Sequence, residues 1–124
     1  MMFTLIVGDL KNSELVIQDL KDNNHSVVFI DIKEQKDISE ILLEENRIQF
    51  AQLFIAFTEE DHVNLYLCKL AKKKYGVEKT IALANYPDNM ELLKQQNIDY
   101  VICPNLFIKN CIDKFIFRGE GKCI

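Results

Sequence analysis

The sequence predicts an α/β fold, a three-layer sandwich whose middle layer is a five-stranded parallel sheet. Five short apolar runs recur along the 124 residues, each followed by a segment with helical spacing of apolar positions. The runs are apolar at nearly every position rather than at alternate ones, which is the pattern of strands covered on both faces. Gly 4 and Pro 2 are too few for a turn-dense β-sandwich.

Phe3-Thr4-Leu5-Ile6-Val7 forms the first strand and ends at Gly8. A helix starting at Asn12 or Ser13 follows, with Leu15, Val16, Ile17 and Leu20 apolar, until Asp22-Asn23-Asn24 breaks it. Val27-Val28-Phe29-Ile30 is the second strand, closed by Asp31. Residues 37–50 place Ile38, Ile41, Leu42, Leu43 and Ile48 at helical spacing between acids, which predicts one helix. Leu53-Phe54-Ile55-Ala56-Phe57 is the third strand, ended by Thr58.

Glu59, Glu60 and Asp61 suit the first turn of a helix, where acids complement the dipole. Val63, Leu67, Leu70 and Ala71 give that helix one apolar face, and Gly76 stops it. Thr80-Ile81-Ala82-Leu83-Ala84 is the fourth strand, and Pro87 and Asp88 open a helix that carries Leu92 and Leu93 to about Asn97. Tyr100-Val101-Ile102-Cys103 is the fifth strand, and Asn105 caps a last helix. Residues 1–117 thus make one domain, and residues 118–124 a loose tail.

Charge and cysteine usage exclude several function classes. The formal net charge is −4, and a chain that binds phosphate backbones would carry a basic field; nucleic acid is not an expected partner. Lys72-Lys73-Lys74, the one cationic cluster, closes a helix. Cys68, Cys103, Cys111 and Cys123 show no Cys-x-x-Cys, and neither His25 nor His62 has a partner at ligand spacing, so no metal is expected. Thiols in apolar contexts fit a reducing cytoplasm. No apolar run approaches the roughly 20 residues that span a bilayer, and no signal-peptide pattern is seen.

Catalysis finds no support either. His62 stands among acids without a nucleophile, and Cys103 reads as a buried inert thiol at a strand end. Glu59-Glu60-Asp61 reads as a solvated helix start rather than a divalent-ion site. Thr58 with Asp61 reads as a helix cap, although a helix N-terminus is also an anion site. Asn64 is expected to tie its helix to a neighbouring loop.

The segment Leu53-Phe54-Ile55-Ala56-Phe57-Thr58-Glu59-Glu60-Asp61-His62-Val63-Asn64 resembles the fourth-strand signature of regulator-of-potassium-conductance domains, the RCK-N or TrkA-N type. Ala71-Lys72-Lys73-Lys74-Tyr75-Gly76-Val77, Thr80-Ile81-Ala82-Leu83-Ala84-Asn85 and Tyr100-Val101-Ile102-Cys103-Pro104 continue the likeness in the family's order. The resemblance implies a Rossmann-like cytoplasmic domain that regulates a potassium channel or Trk-type uptake system and is not an enzyme. It also implies NAD(H) or an adenine nucleotide as ligand, with Gly8, Asp9, Leu10, Asp31, Thr58 and Asp61 at the site.

The first half is similar in a degenerate form. The family's Gly-x-Gly-x-x-Gly loop is matched by Gly8, Leu10 and Ser13, so two glycines that admit a pyrophosphate and close the helix on the strand are replaced. Leu83 stands where the family often has a basic residue. Asp31 keeps the place of the acid that binds a ribose hydroxyl. Between Asp31 and Leu53 there is room for one helix and its loops, not for the family's third strand. Removing that strand from a 3-2-1-4-5-6 sheet leaves the order 2-1-3-4-5, which is also that of receiver domains. A receiver-like signalling or interaction domain without phosphorylation is therefore the alternative.

Phe107, Ile108, Cys111, Ile112, Phe115 and Ile116 repeat at helical spacing with little polar relief. One side can cover the sheet, and the rest would form an exposed patch of the kind that marks an interface. The resemblance implies that this helix crosses to a second copy, so a homodimer through residues 105–117 is expected. The other option is a helix buried wholly in its own domain.

Overall fold

A computed structural model describes residues 2–35 and 37–117; the expected tail at 118–124 lies outside the described residues. The elements are β1 (Phe3–Gly8), α1 (Leu10–Asp22), β2 (Ser26–Asp31), α2 (Glu40–Glu45), β3 (Leu53–Phe57), α3 (Asp61–Lys73), β4 (Lys79–Leu83), α4 (Met90–Gln95), β5 (Tyr100–Ile102) and α5 (Pro104–Phe117). The five strands form one parallel sheet in the order β2-β1-β3-β4-β5, as the sequence predicts. Burial on both faces explains the unbroken apolar runs: Leu5, Ile6 and Val7 are successive residues and none is exposed.

On one face Leu5, Val7, Phe54 and Ala56 pack against Leu43 after β2, Leu67, Cys68 and Ala71 of α3, and Leu93 of α4. On the other, Ile6, Ile55, Phe57 and Leu83 meet Val16, Ile17 and Leu20 of α1. Fully burying one such side chain contributes roughly 1.5–3 kcal/mol.

Gly8 is in register with Asp31 on one side and Phe57 on the other. A Cβ at Gly8 would stand 2.6 Å from the Phe57 carbonyl oxygen, so the strand contact itself requires glycine there.

Three local readings are corrected. α1 begins at Leu10, not Asn12 or Ser13, because Asp9 caps it and accepts a hydrogen bond from the Lys11 N–H at 3.2 Å. Residues 37–50 are not one helix. Ser39 caps the six-residue α2, the Asn46 side chain donates back to the Leu42 carbonyl at 2.8 Å, and Arg47 turns left-handed at φ 67 before a 3-10 turn at Ile48–Phe50. Asn105 is not the cap of the last helix, since α5 already starts at Pro104, a residue suited to a first helical position.

The alternative in which the last helix is buried wholly in its own domain does not hold. None of its residues is buried; Phe107 is 58% exposed, Ile112 51% and Phe115 65%. Leu106, half-buried, packs against the larger core, and Asn105 donates to the Asn85 carbonyl at 2.6 Å. The sheet face over β4 and β5 is left with an open depression of about 390 Å³ between α1 and the start of α5.

Candidate functional site

The chain leaves β1 for β2 on one side and later returns to place β3 on the other. In an open parallel sheet this reversal makes a crevice at the carboxyl ends of the strands, the usual ligand position. A cavity of about 470 Å³ lies there. Asp9 and Thr58 come from the ends of β1 and β3; Ile32, Lys33, Asp37 and Ile38 follow β2; Glu59, Glu60, Val63, Tyr66 and Leu67 belong to α3 and its approach.

Of the six residues expected at the ligand, Asp9 and Thr58 line this cavity, as do Glu59 and Glu60 of the acidic run before α3. Asp9 is 7% exposed; its Oδ1 receives the Lys11 N–H and lies 3.7 Å from the Lys33 ammonium. Gly8 lies behind it in the sheet, and Leu10, 47% exposed, opens α1 outside the cavity lining. Asp31 ends β2 opposite Gly8, and its Oδ1 accepts the Lys33 N–H at 2.9 Å, closing the turn that carries Lys33 to the cavity wall.

Thr58 does not cap α3. The cap residue is Glu60, which makes no side-chain cap bond, while Thr58 works two residues earlier: its hydroxyl oxygen accepts the Glu60 N–H at 3.3 Å and lies 2.7 Å from Asn64 Oδ1. Asn64 is fully buried and ties α3 to two strand ends, as expected. It accepts the Thr58 N–H at 2.9 Å and donates to the carbonyls of Thr58 at 3.0 Å and Leu83 at 2.8 Å.

Asp61 faces away from the cavity, into the loop after β4. Its Oδ1 accepts the Asn85 N–H at 2.6 Å and the Asn85 side-chain amide at 2.8 Å; its Oδ2 accepts the Tyr86 N–H at 3.1 Å and the Asn89 amide at 2.8 Å. Burial pushes this carboxyl up, but the donors from Asn85, Asn89 and Tyr86 outweigh it and hold the group below its ordinary value. Asn85 also donates to the Thr58 carbonyl at 3.0 Å, so one asparagine joins the cavity floor, the β4 loop and α5.

His62 pairs with Glu60 at 3.4 Å in the open. Among the described residues no group of three or more His, Cys, Asp or Glu is gathered to hold a metal ion. Cys68 of α3 is buried against the sheet, and burial pushes its thiol up to about 12. Lys33 and Tyr66 of the cavity wall were not singled out from the sequence. Lys33 could have been found from its place two residues after Asp31, whereas Tyr66 carries no signal beyond its helix face.

Among the described residues no helix is long and apolar enough to cross a membrane. The TrkA-N domain profile matches residues 11–104. A Trk system potassium uptake protein TrkA homolog of Methanothermobacter thermautotrophicus is 38% identical over 78 residues, which is 63% of this chain and 36% of that protein. The TrkA of Halomonas elongata is 36% identical over 82 residues, 66% of this chain and 18% of the relative. The chain therefore matches well under half the length of either.

Solved structures share the fold. The GsuK RCK domain superposes with a TM-score of 0.80 at 17% identity, covering 97% of this chain and 29% of that one. The TrkA-N domain of the inner membrane protein ybaL from Escherichia coli gives 0.77 at 15% identity, with 94% and 98% covered. GsuK bound to ADP gives 0.79 at 17% identity, with 96% and 35% covered.

Proposed function

This chain belongs to the TrkA-N domain family, and from that premise we propose that it is a cytoplasmic regulatory domain of a potassium channel or Trk-type potassium-uptake system. It works by binding and association rather than by catalysis. The crevice between β1 and β3 takes an adenine nucleotide or NAD(H) weakly. Asp9 and Thr58 line it, Gly8 and Asp31 support them from the strand ends, Leu10 and Asp61 stand outside it, and α5 joins two copies through Phe107, Ile108, Cys111, Ile112, Phe115 and Ile116.

The observation that carries this reading is α5 itself: fourteen residues, mostly apolar, with none buried. A helix of that composition needs a partner surface. The matched uptake proteins and the ADP-bound GsuK structure supply the class of system and of ligand. The receiver-like alternative shares the strand order, but the position of the phosphate acceptor is Thr58, 2% exposed and bonded to Asn64.

Thermal unfolding against NAD, NADH, ATP, ADP and AMP near millimolar tests the ligand half of the proposal. A ligand at 100 times its dissociation constant stabilises by roughly 2.7 kcal/mol, several degrees in a domain this size. A saturable shift with any of them supports the regulator reading. No shift with all five would leave association through α5 as the function.

A further inference from the structure

We infer that each phosphate on a ligand weakens its binding in the β1–β3 crevice, so that the site prefers a bare nucleoside to a nucleotide. This rests on the reading that the crevice takes an adenine-type ligand, and it names the part of that ligand the site recognises.

The charges around the cavity carry the inference. Among the described residues its lining holds four carboxylates (Asp9, Asp37, Glu59 and Glu60) against one ammonium, Lys33. That ammonium already stands 3.7 Å from Asp9. A phosphate brought into this space meets four carboxylates, with the Lys33 counter-charge already engaged.

Two backbone N–H groups beside the cavity are already engaged. A helix N-terminus ordinarily holds phosphate with free N–H groups. At α1 the Lys11 N–H is held by Asp9 Oδ1, so the protein's own carboxylate sits in the anion position. At the approach to α3 the Glu60 N–H is held by the Thr58 hydroxyl. Gly8 is packed against Phe57, and Leu10 stands where a dinucleotide loop has the glycine that lets the backbone approach a pyrophosphate.

The remainder of the lining suits an uncharged heterocycle with hydroxyl groups. Ile32, Ile38, Val63 and Leu67 are apolar, and Tyr66 adds a ring. Carboxylates accept hydrogen bonds from ribose hydroxyls and from an exocyclic amine, which a nucleoside carries and a phosphate does not. A cavity of about 470 Å³ is of the size that small-molecule sites have.

The test compares adenosine, AMP, ADP and NAD by calorimetric titration of the 124-residue chain at low salt with a chelator present. Adenosine binding more tightly than AMP, and AMP more tightly than ADP, is the expected result. ADP or NAD binding as tightly as adenosine would overturn the inference while leaving the nucleotide reading intact; no binding by any of the four would remove both.

A Glu59→Gln/Glu60→Gln double variant separates charge from shape. It should tighten ADP relative to adenosine by about three- to tenfold at low salt. An unchanged ratio of ADP to adenosine affinity in that variant would also overturn the inference. Both side chains lie at the exposed start of α3 and neither makes a cap bond, so the variant keeps the fold.

Discussion

Asn85 reaches Asp61 twice, its backbone N–H and its side-chain amide converging on the same carboxylate oxygen at 2.6 and 2.8 Å. The second oxygen holds Tyr86 and Asn89, so one aspartate at the start of α3 organises the whole turn between β4 and α4. Because Asn85 also bonds Thr58 and receives Asn105, this turn is where the crevice, the sheet and the exposed helix meet.

Asp61→Ala removes the acceptor of these four bonds and leaves partly buried donors facing no partner. The loss expected is about 2–4 kcal/mol of folding stability, since unsatisfied groups cost more than a typical bond contributes. Urea denaturation followed by circular dichroism measures it; a change below about 0.5 kcal/mol would mean that the loop is held by other contacts.

The same carboxylate sets an acid limb. Asp61 lies below its ordinary value of 3.8, and so does Asp99, where the Lys72 ammonium at 2.7 Å is the main cause. A depressed carboxyl contributes stability that is present above its unfolded value and is lost as pH falls through the folded one. The urea midpoint should therefore fall steeply below about pH 4, and the fall should be shallower in Asp61→Ala. An identical acid limb in the variant would count against Asp61 as its source. Asp99 is exposed, and solvent screens its share.

Gly8→Ala forces a methyl against the Phe57 carbonyl, both of them backbone-held in the middle of the sheet. Overpacking of this kind costs about 1–3 kcal/mol. Gly76 makes the contrast: its Cβ would meet nothing, but its φ of +64 strains any other residue, so Gly76→Ala should cost about 1 kcal/mol through the backbone. Equal stability of Gly8→Ala and the parent in urea would refute the contact.

Ile112→Asp places a charge on the exposed stripe of α5 without touching a core residue. Sedimentation or light scattering should give a dimer for the parent and a monomer for the variant, with each monomer's helical content unchanged. A variant that keeps the mass of the parent dimer would exclude this helix as the seam.

Strands were legible because a parallel sheet buries both faces, and so writes itself as runs such as Leu5-Ile6-Val7 and Phe54-Ile55-Ala56. The segment after β2 was not, because its apolar spacing fits a helix while Asn46 and Arg47 end that helix early through a local left-handed turn. Asn64 was read as a tie because its partner Thr58 is six residues away. The role of Asp61 as anchor of the β4 loop is not legible in the sequence, because its partner Asn85 is supplied by the register of β3 on β4, which no local pattern encodes. The cavity charges were visible one by one; their convergence required the crossing of β2 past β1.

That crossing also governs how the molecule folds. No neighbouring strands are joined by a hairpin, and β1 meets β3 only after α1, β2 and α2 have been laid between them. Sheets closed by such distant pairings assemble slowly compared with helical bundles, because the loop entropy is lost before the contacts form. Until Leu53–Phe57 arrives, Leu5, Ile6 and Val7 are a bare adhesive strand, and a chain stalled before that point is an aggregation hazard.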